Sequence, residues 1–271
     1  MGKRAVLIYM ENNLLQKPLL DLYQDLHRLT LDENAVTVAP DALAYAMERL
    51  GPEERRPLLV SCPPTVNPAL FLNVTRQVAA VINKHFPFPE AVFDGIILSL
   101  QEKPEQLAGV IAQMFVPGTD LSTCFRQEFP PEALGLLFSH TVQLFMKPYV
   151  KAVAPALDLD RWRQGVCPVC GGKPSLALLE KENQGRFLYC GYCELKWRFP
   201  RLGCPFCPSR ESQYLFIEEM GQYRGYVCDQ CGGYLKTVVC AQAGDEALNL
   251  MLEDLNSIQM DLFALKEGYH K

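Results

Sequence analysis

The chain has 271 residues, 49% hydrophobic and 21% charged, with 31 Asp or Glu against 26 Lys or Arg for a formal net charge of -5. That balance excludes a disordered or fibrous chain and a strongly basic nucleic-acid binder, and the length leaves room for one large domain or two smaller ones. Eleven cysteines are too few for a small secreted disulfide scaffold, yet nine of them fall between Cys167 and Cys240.

At the amino end, Lys3 and Arg4 precede only six apolar residues, Ala5 to Met10, before Glu11. This is too short for a secretory signal, and no run approaches the ~18 apolar residues that span a bilayer. The expectation is a cytoplasmic protein without membrane insertion, where clustered cysteines serve as metal ligands or redox groups rather than structural disulfides.

The first 160 residues read as an all-helical domain. Leu15, Leu19, Leu22, Leu26 and Leu29 recur at gaps of three and four, with Pro18 placing the start of the stable helix near itself. Leu70, Val74, Val78, Val81 and Ile82 form a second stripe, entered at Pro68 and stopped by Phe86-Pro87-Phe88-Pro89. Leu134, Phe138, Val142, Phe145 and Tyr149 form a third, entered by Pro130-Pro131-Glu132 and strained or kinked at Pro148. Together the stripes predict a helical bundle core. His140, on an apolar face, reads as a satisfied core residue rather than a base.

From Cys167 the helical period disappears. Phe187-Leu188-Tyr189 and Tyr226-Val227 are short β-favouring runs placed just before cysteine pairs, and Gly171-Gly172 and Gly232-Gly233 follow others. Beyond Cys240, Leu248, Met251, Leu255, Ile258, Leu262 and Leu265 return to gaps of three and four, predicting one final helix of about five turns between a cap at Asp245 and a stop at Gly268.

Four Cys-x-x-Cys pairs stand at Cys167/Cys170, Cys190/Cys193, Cys204/Cys207 and Cys228/Cys231. Spacing and flanks repeat: Cys167-Pro168-Val169-Cys170 answers Cys204-Pro205-Phe206-Cys207, and Arg186-Phe187-Leu188-Tyr189 answers Arg224-Gly225-Tyr226-Val227. This is an internal duplication, each copy supplying one four-thiolate site. Two intervening residues let both sulfurs of a pair reach one ion at ~2.3 Å while turn amides face the sulfurs. Four thiolates suit structural zinc or a single iron, and the pattern leaves that choice open. The competing reading, thiol–disulfide chemistry at Cys167/Cys170, lacks the helix-opening βαβ context that lowers a thiol pKa. Cys62, Cys124 and Cys240 have no partner at ligand spacing and read as buried small hydrophobes.

Residues 161 to 240 hold eleven Lys or Arg against seven Asp or Glu. Eight bound thiolates and two divalent ions would bring that region to neutrality and leave the loaded protein more acidic than its formal charge, which disfavours phosphate-driven binding. Trp197-Arg198-Phe199-Pro200-Arg201 could stack bases, but it reads better as the hydrophobic and ionic connection between the two modules. Phosphate loops, dinucleotide fingerprints, nucleophile elbows and zincin motifs are missing from the sequence, and closed four-sulfur sites keep no open coordination position. No catalytic residue is assigned, and the chain reads as a non-enzyme.

The stretches Trp162 to Gly171, Arg186 to Cys190, Cys193 to Arg198 and Cys231 to Thr237, with the ending Glu253-Asp254-Leu255 through Asp261-Leu262 and Glu267-Gly268-Tyr269, resemble the formate dehydrogenase accessory protein family, FdhE. Pro208 departs from the glycine more usual after Cys207, and His270 stands where a basic residue such as arginine is common. The resemblance implies an α+β protein: a helical domain (1–160), two rubredoxin-like or zinc-ribbon β modules (161–199 and 200–241) and a C-terminal helix (242–271) packing back on the body. It implies a cytoplasmic maturation factor or chaperone for formate dehydrogenase, whose partner is the enzyme's catalytic subunit. Its metal ligands would be Cys167, Cys170, Cys190 and Cys193 in one site and Cys204, Cys207, Cys228 and Cys231 in the other, holding two iron or zinc ions. A rubredoxin-like redox carrier or sensor, and a zinc-ribbon nucleic-acid binder, are the alternatives.

Overall fold

The computed structural model describes residues 3–5, 13–50, 57–86, 88, 91–102, 104–116, 118–125, 129–210, 213–217, 221–241 and 248–270. Packing divides the chain into two units: Lys17–Leu157 with Val169–Gly171, and Met1–Gln16 with Asp158–Pro168 and Gly172–Lys271.

The first unit is helical. Its described helices are α1 (Asn13–Arg28), α2 (Pro40–Arg49), α3 (Leu58–Ser61), α4 (Pro68–His85), α5 (Ala91–Gln101), α6 (Pro104–Met114) and α7 (Pro131–Val153). The three sequence stripes lie on α1, α4 and α7. Leu22, Leu26, Val74, Val78 and Ile82 are buried, and so are Leu134, Phe138, Val142, Phe145 and Tyr149. Rings of α4 and α7 stack, Phe71 on Phe145 with centroids 5.5 Å apart.

One of these helices starts elsewhere than its proline suggests. Helix α1 starts at Asn13, so Pro18 lies inside it and not at its start; the side chain of Leu15 is outside the described residues. Helix α4 starts at Pro68 as expected, capped by Asn67, whose side-chain oxygen accepts from the amides of Ala69 (2.9 Å) and Leu70 (3.2 Å). Helix α7 runs through Pro148 to Val153. A two-residue antiparallel ladder, β2 (Val36–Thr37) against β3 (Thr65–Val66), also interrupts the helical unit.

The other unit is built on one seven-stranded sheet of β1 (Lys3–Ala5), β4 (Leu176–Glu180), β5 (Arg186–Tyr189), β6 (Lys196–Phe199), β7 (Gln213–Ile217), β8 (Tyr223–Val227) and β9 (Tyr234–Cys240), in the order β1-β7-β8-β9-β4-β5-β6. Each half of the duplication is a three-stranded antiparallel meander, β4-β5-β6 and β7-β8-β9. The halves fuse because β4 pairs parallel with β9, Leu178 opposite Val238. All five residues of β4 are buried, as its near-continuous apolar run requires of an interior strand.

The single final helix expected from the periodicity is two helices, α8 (Leu250–Asn256) and α9 (Ile258–Lys266). Ser257 separates them: its hydroxyl donates back to the Glu253 carbonyl at 2.7 Å, and its backbone leaves helical geometry (φ -102, ψ 20). The expected cap at Asp245 lies outside the described residues; Asn249 caps α8 instead, accepting from the amide of Leu252 at 3.2 Å. Gly268, with φ +87, follows the end of α9. Among the described residues, no helix is long and apolar enough to cross a membrane.

Candidate metal centres

The meanders explain how distant cysteines converge. In the first half, the knuckle of Cys167 and Cys170 precedes β4 and that of Cys190 and Cys193 follows β5. Antiparallel pairing of Leu176 with Tyr189 therefore brings the two knuckles side by side. In the second half, pairing of Gln213 with Val227 does the same for Cys204/Cys207 and Cys228/Cys231.

The four sulfurs of each group lie within 4.8 Å of one another. Cross-knuckle separations are 3.4 Å for Cys167 and Cys193, 3.7 Å for Cys204 and Cys231, and 3.6 Å for Cys207 and Cys228. All eight sequence-assigned cysteines are thus brought together, in the pairing the duplication suggested. Four thiols collected around one point fit a tetrahedral thiophilic ion, and each group can hold one. The first group is fully buried, whereas Cys207 and Cys231 of the second are half-buried.

One local device recurs in all four knuckles: the first cysteine's amide donates to the carbonyl five residues on. The bonds are Cys167 to Gly172 (2.9 Å), Cys190 to Leu195 (3.0 Å), Cys204 to Ser209 (2.9 Å) and Cys228 to Gly233 (2.9 Å). Closing this loop puts the residue after the second cysteine at positive φ in three knuckles: Gly171 (+76), Glu194 (+61) and Gly232 (+68). Pro208 cannot adopt that conformation. The third knuckle nonetheless closes with the same bond, and there positive φ falls on Gly203 (+112), before the first cysteine.

Turn amides also act on the sulfurs. The amide of Phe206 donates to Cys204 Sγ at 3.3 Å. Burial pushes the Cys204 thiol up to about 12. Burial acts the same way on Cys228, but the amides of Cys231 and Gln230 and the thiols facing it outweigh this and bring it down to about 7.

The other sequence candidates fall elsewhere. Cys62 is buried in the helical unit, where burial raises its pKa, and its carbonyl accepts from the Tyr149 hydroxyl at 2.6 Å. Cys124 and Cys240 are half-buried, less enclosed than the sequence reading had them. His140 is buried edge-on to the Tyr23 ring at 5.4 Å, and burial lowers its pKa, as befits a neutral core imidazole. Trp197 and Phe199 are buried, the indole N–H donating to the Gln164 carbonyl at 2.9 Å. Arg201 lies over the Tyr226 ring at 5.6 Å. This segment joins the two halves and offers no aromatic face for base stacking.

Four residues, each within or beside a stretch quoted from the sequence, support the β unit in ways the sequence did not announce. Lys236, wholly buried, forms ion pairs with Asp254 and Asp261 at 2.7 Å each. Tyr269 donates to Asp229, beside Cys228, at 2.7 Å, and the His270 amide donates to the Gly232 carbonyl at 2.9 Å. Arg186 is buried between the Tyr226 and Phe199 rings, and burial draws its guanidinium down to about 10. Both cations stood in quoted motifs, but a charged residue within a β-favouring run reads as a surface position until its partners are seen.

Comparison with known proteins finds relatives of the cysteine-bearing part. The profile described as "FdhE, central domain" matches residues 166–201, the segment of the first four-cysteine group. A protein FdhE homolog of Aquifex aeolicus is 31% identical over 45% of this chain and 45% of its own length. A protein FdhE homolog of Pseudomonas aeruginosa is 26% identical over 51% of this chain and 48% of its own. By these matches the cysteine-bearing part of the chain is similar to FdhE proteins. The aligned part spans about half the length of these curated FdhE relatives. The crystal structure of the FdhE protein from Pseudomonas aeruginosa superposes with a TM-score of 0.58 at 21% identity, covering 94% of this chain and 82% of that one. The two chains share a fold along nearly the whole of this one.

Proposed function

We propose that this protein is a cytoplasmic accessory factor for formate dehydrogenase that binds the enzyme's catalytic subunit during maturation and catalyses no reaction itself. The eight cysteines hold two metal ions, iron or zinc, and the ions keep the β halves in shape for docking. The observation that carries this reading is the construction of the two groups: each has four thiols converging within 4.8 Å, a full set of ligands for one tetrahedral ion. Such closed sites fold small modules, contributing about 10–16 kcal/mol in isolated zinc modules. The FdhE family matches supply the link to formate dehydrogenase.

The test is co-purification with the immature catalytic subunit, together with recovery of formate dehydrogenase activity in cells lacking the factor. The wild-type chain should restore both. Folded Cys167→Ser and Cys204→Ser chains that bind the subunit as well as wild type would overturn the role given to the metals.

A second reading is a redox carrier or sensor, favoured by the half-buried Cys207 and Cys231 of the second group. Metal analysis with a visible spectrum after anaerobic purification separates the two. Stoichiometric zinc without colour removes electron transfer; iron with thiolate-to-iron bands supports it.

A further inference from the structure

Arg186 belongs to β5, a strand of the first half, yet its guanidinium reaches the second four-cysteine group. Nη1 donates to the carbonyl of Gly203, the residue before Cys204, at 2.9 Å. The guanidinium carbon lies 5.0 Å from the centre of the Tyr226 ring and 5.6 Å from that of Phe199. Arg186, Gly203, Cys204, Tyr226 and Cys228 line one cleft of about 10 Å³, room for little more than a water molecule.

The residue is 1% exposed. Its Nε and Nη2 N–H groups are buried and meet no acceptor among the described residues. A guanidinium stays protonated at neutral pH, and a buried cation without a negative partner is strongly destabilising. Ring faces and one carbonyl offset only part of that cost. The negative charge that shares its cleft is that of the second group, through Cys204 and Cys228. Four thiolates around a divalent ion carry a net charge of -2, and around a trivalent ion -1.

We infer that Arg186 is the buried counter-ion of the second four-cysteine metal centre, so that a strand of the first half sets how tightly the second half holds its ion. The inference rests on the reading that each group binds a metal. The device runs in one direction, because the duplication puts Arg224 in the matching position of β8 and that side chain is only half-buried. It also gives the fused sheet a use: the parallel pairing of β4 with β9 fixes the first half's strands against the second.

The test uses the full chain loaded with two equivalents of Zn2+ and challenged with graded chelator. Alkylation of released thiols, read peptide by peptide, reports which group has lost its ion. Arg186→Met should weaken retention at Cys204, Cys207, Cys228 and Cys231 by roughly ten- to a hundredfold, with the first group unchanged. Arg186→Lys keeps the charge and should lose less. Equal retention at both groups in Arg186→Met and wild type, or equal weakening of both groups, overturns the inference.

A second arm separates charge from packing. In a Cys204→Ser/Cys207→Ser chain the cation has no centre to face, so Arg186→Met should raise the melting temperature there while lowering it in the loaded wild-type background. A fall of the same size in both backgrounds would show that Arg186 acts by packing alone. A wild-type chain that holds no metal at either group would instead sink the metal reading itself, an outcome distinct from metal held and an Arg186→Met variant without effect.

Discussion

The ammonium of Lys236, which has no exposed surface, lies 2.7 Å from a carboxylate oxygen of Asp261. A second carboxylate, of Asp254, lies at the same distance, and the Asp254 carbonyl accepts from the same nitrogen at 2.5 Å. One side chain of β9 thus holds both α8 and α9. Truncation by Lys236→Ala would strand two carboxylates whose side chains are 32% and 26% exposed. That partial exposure puts the expected loss at the lower end of the range for a broken buried pair, about 3 kcal/mol in denaturant unfolding. Asp261→Asn leaves Asp254 in place and should cost clearly less; equal costs would show that the two carboxylates do not act together.

In the helical unit, Asp25 of α1 accepts from Lys84 and Arg28 at 2.6 Å each and lies 2.9 Å from Nε2 of His85. The hydrogen bonds from Lys84 and His85 hold its carboxyl down at about 2, against an ordinary 3.8. A depressed carboxylate pKa contributes stability that is complete above the unfolded value and disappears as pH falls through the folded one. Stability should therefore decline between about pH 4 and pH 2. Asp25→Asn should be less stable than wild type at pH 5 and flatter across that window. Acid release of thiolate-bound metal affects both chains alike and cancels in the difference. Parallel pH profiles for the two chains would contradict this role for Asp25.

Each metal group is assembled within its own meander, so the two should be separable by mutation. Cys170→Ser and Cys228→Ser should each reduce bound metal from two equivalents to one, measured by elemental analysis of purified protein. Chelation of both ions should remove the strand contribution to the far-ultraviolet spectrum and spare most of the helical signal, because the stripes of α4 and α7 bury their own core without metal. Loss of both ions on either single substitution would show that the two groups bind as one unit.

The features legible in the sequence are those whose chemistry is local. A thiolate site demands paired cysteines with a fixed spacing, so all eight sulfurs and their grouping could be read directly. The long amphipathic faces of α4 and α7 were legible for the same reason. Helix α5 does carry a stripe, Phe93, Ile96, Ile97 and Leu100, but it is short and the exposed Leu98 on another face blurs it. The pairing of β4 with β9 joins Leu178 to Val238, sixty residues apart, and a strand buried on both faces carries no alternation that would announce a neighbour. Arg186 and Lys236 looked like surface charges because burial is a property of the sheet around them. Ser257 fitted the helical period of its neighbours and gave no sign of the break it makes.

The knuckles support a last comparison, between two residues at the same position of the repeat. Gly232 has φ +68, and a Cβ there would lie 2.8 Å from Cε1 of His270. Backbone bonds fix the His270 main chain, its amide to the Gly232 carbonyl and its carbonyl to the amide of Tyr234 at 2.8 Å, but the exposed ring can rotate aside, so the cost falls on the backbone of position 232. Gly232→Ala should therefore cost at least about 1–2 kcal/mol from the left-handed backbone alone, and it should loosen the metal held by the second group. Glu194 already bears a side chain at φ +61. Replacing it with glycine relieves that strain but adds freedom to the unfolded chain, so Glu194→Gly should change stability by less than about 1 kcal/mol. Thermal melting of the two loaded variants, with chelator titration of each, distinguishes the cases. Equal melting temperatures would mean that positive φ in these knuckles is not what selects glycine at position 232.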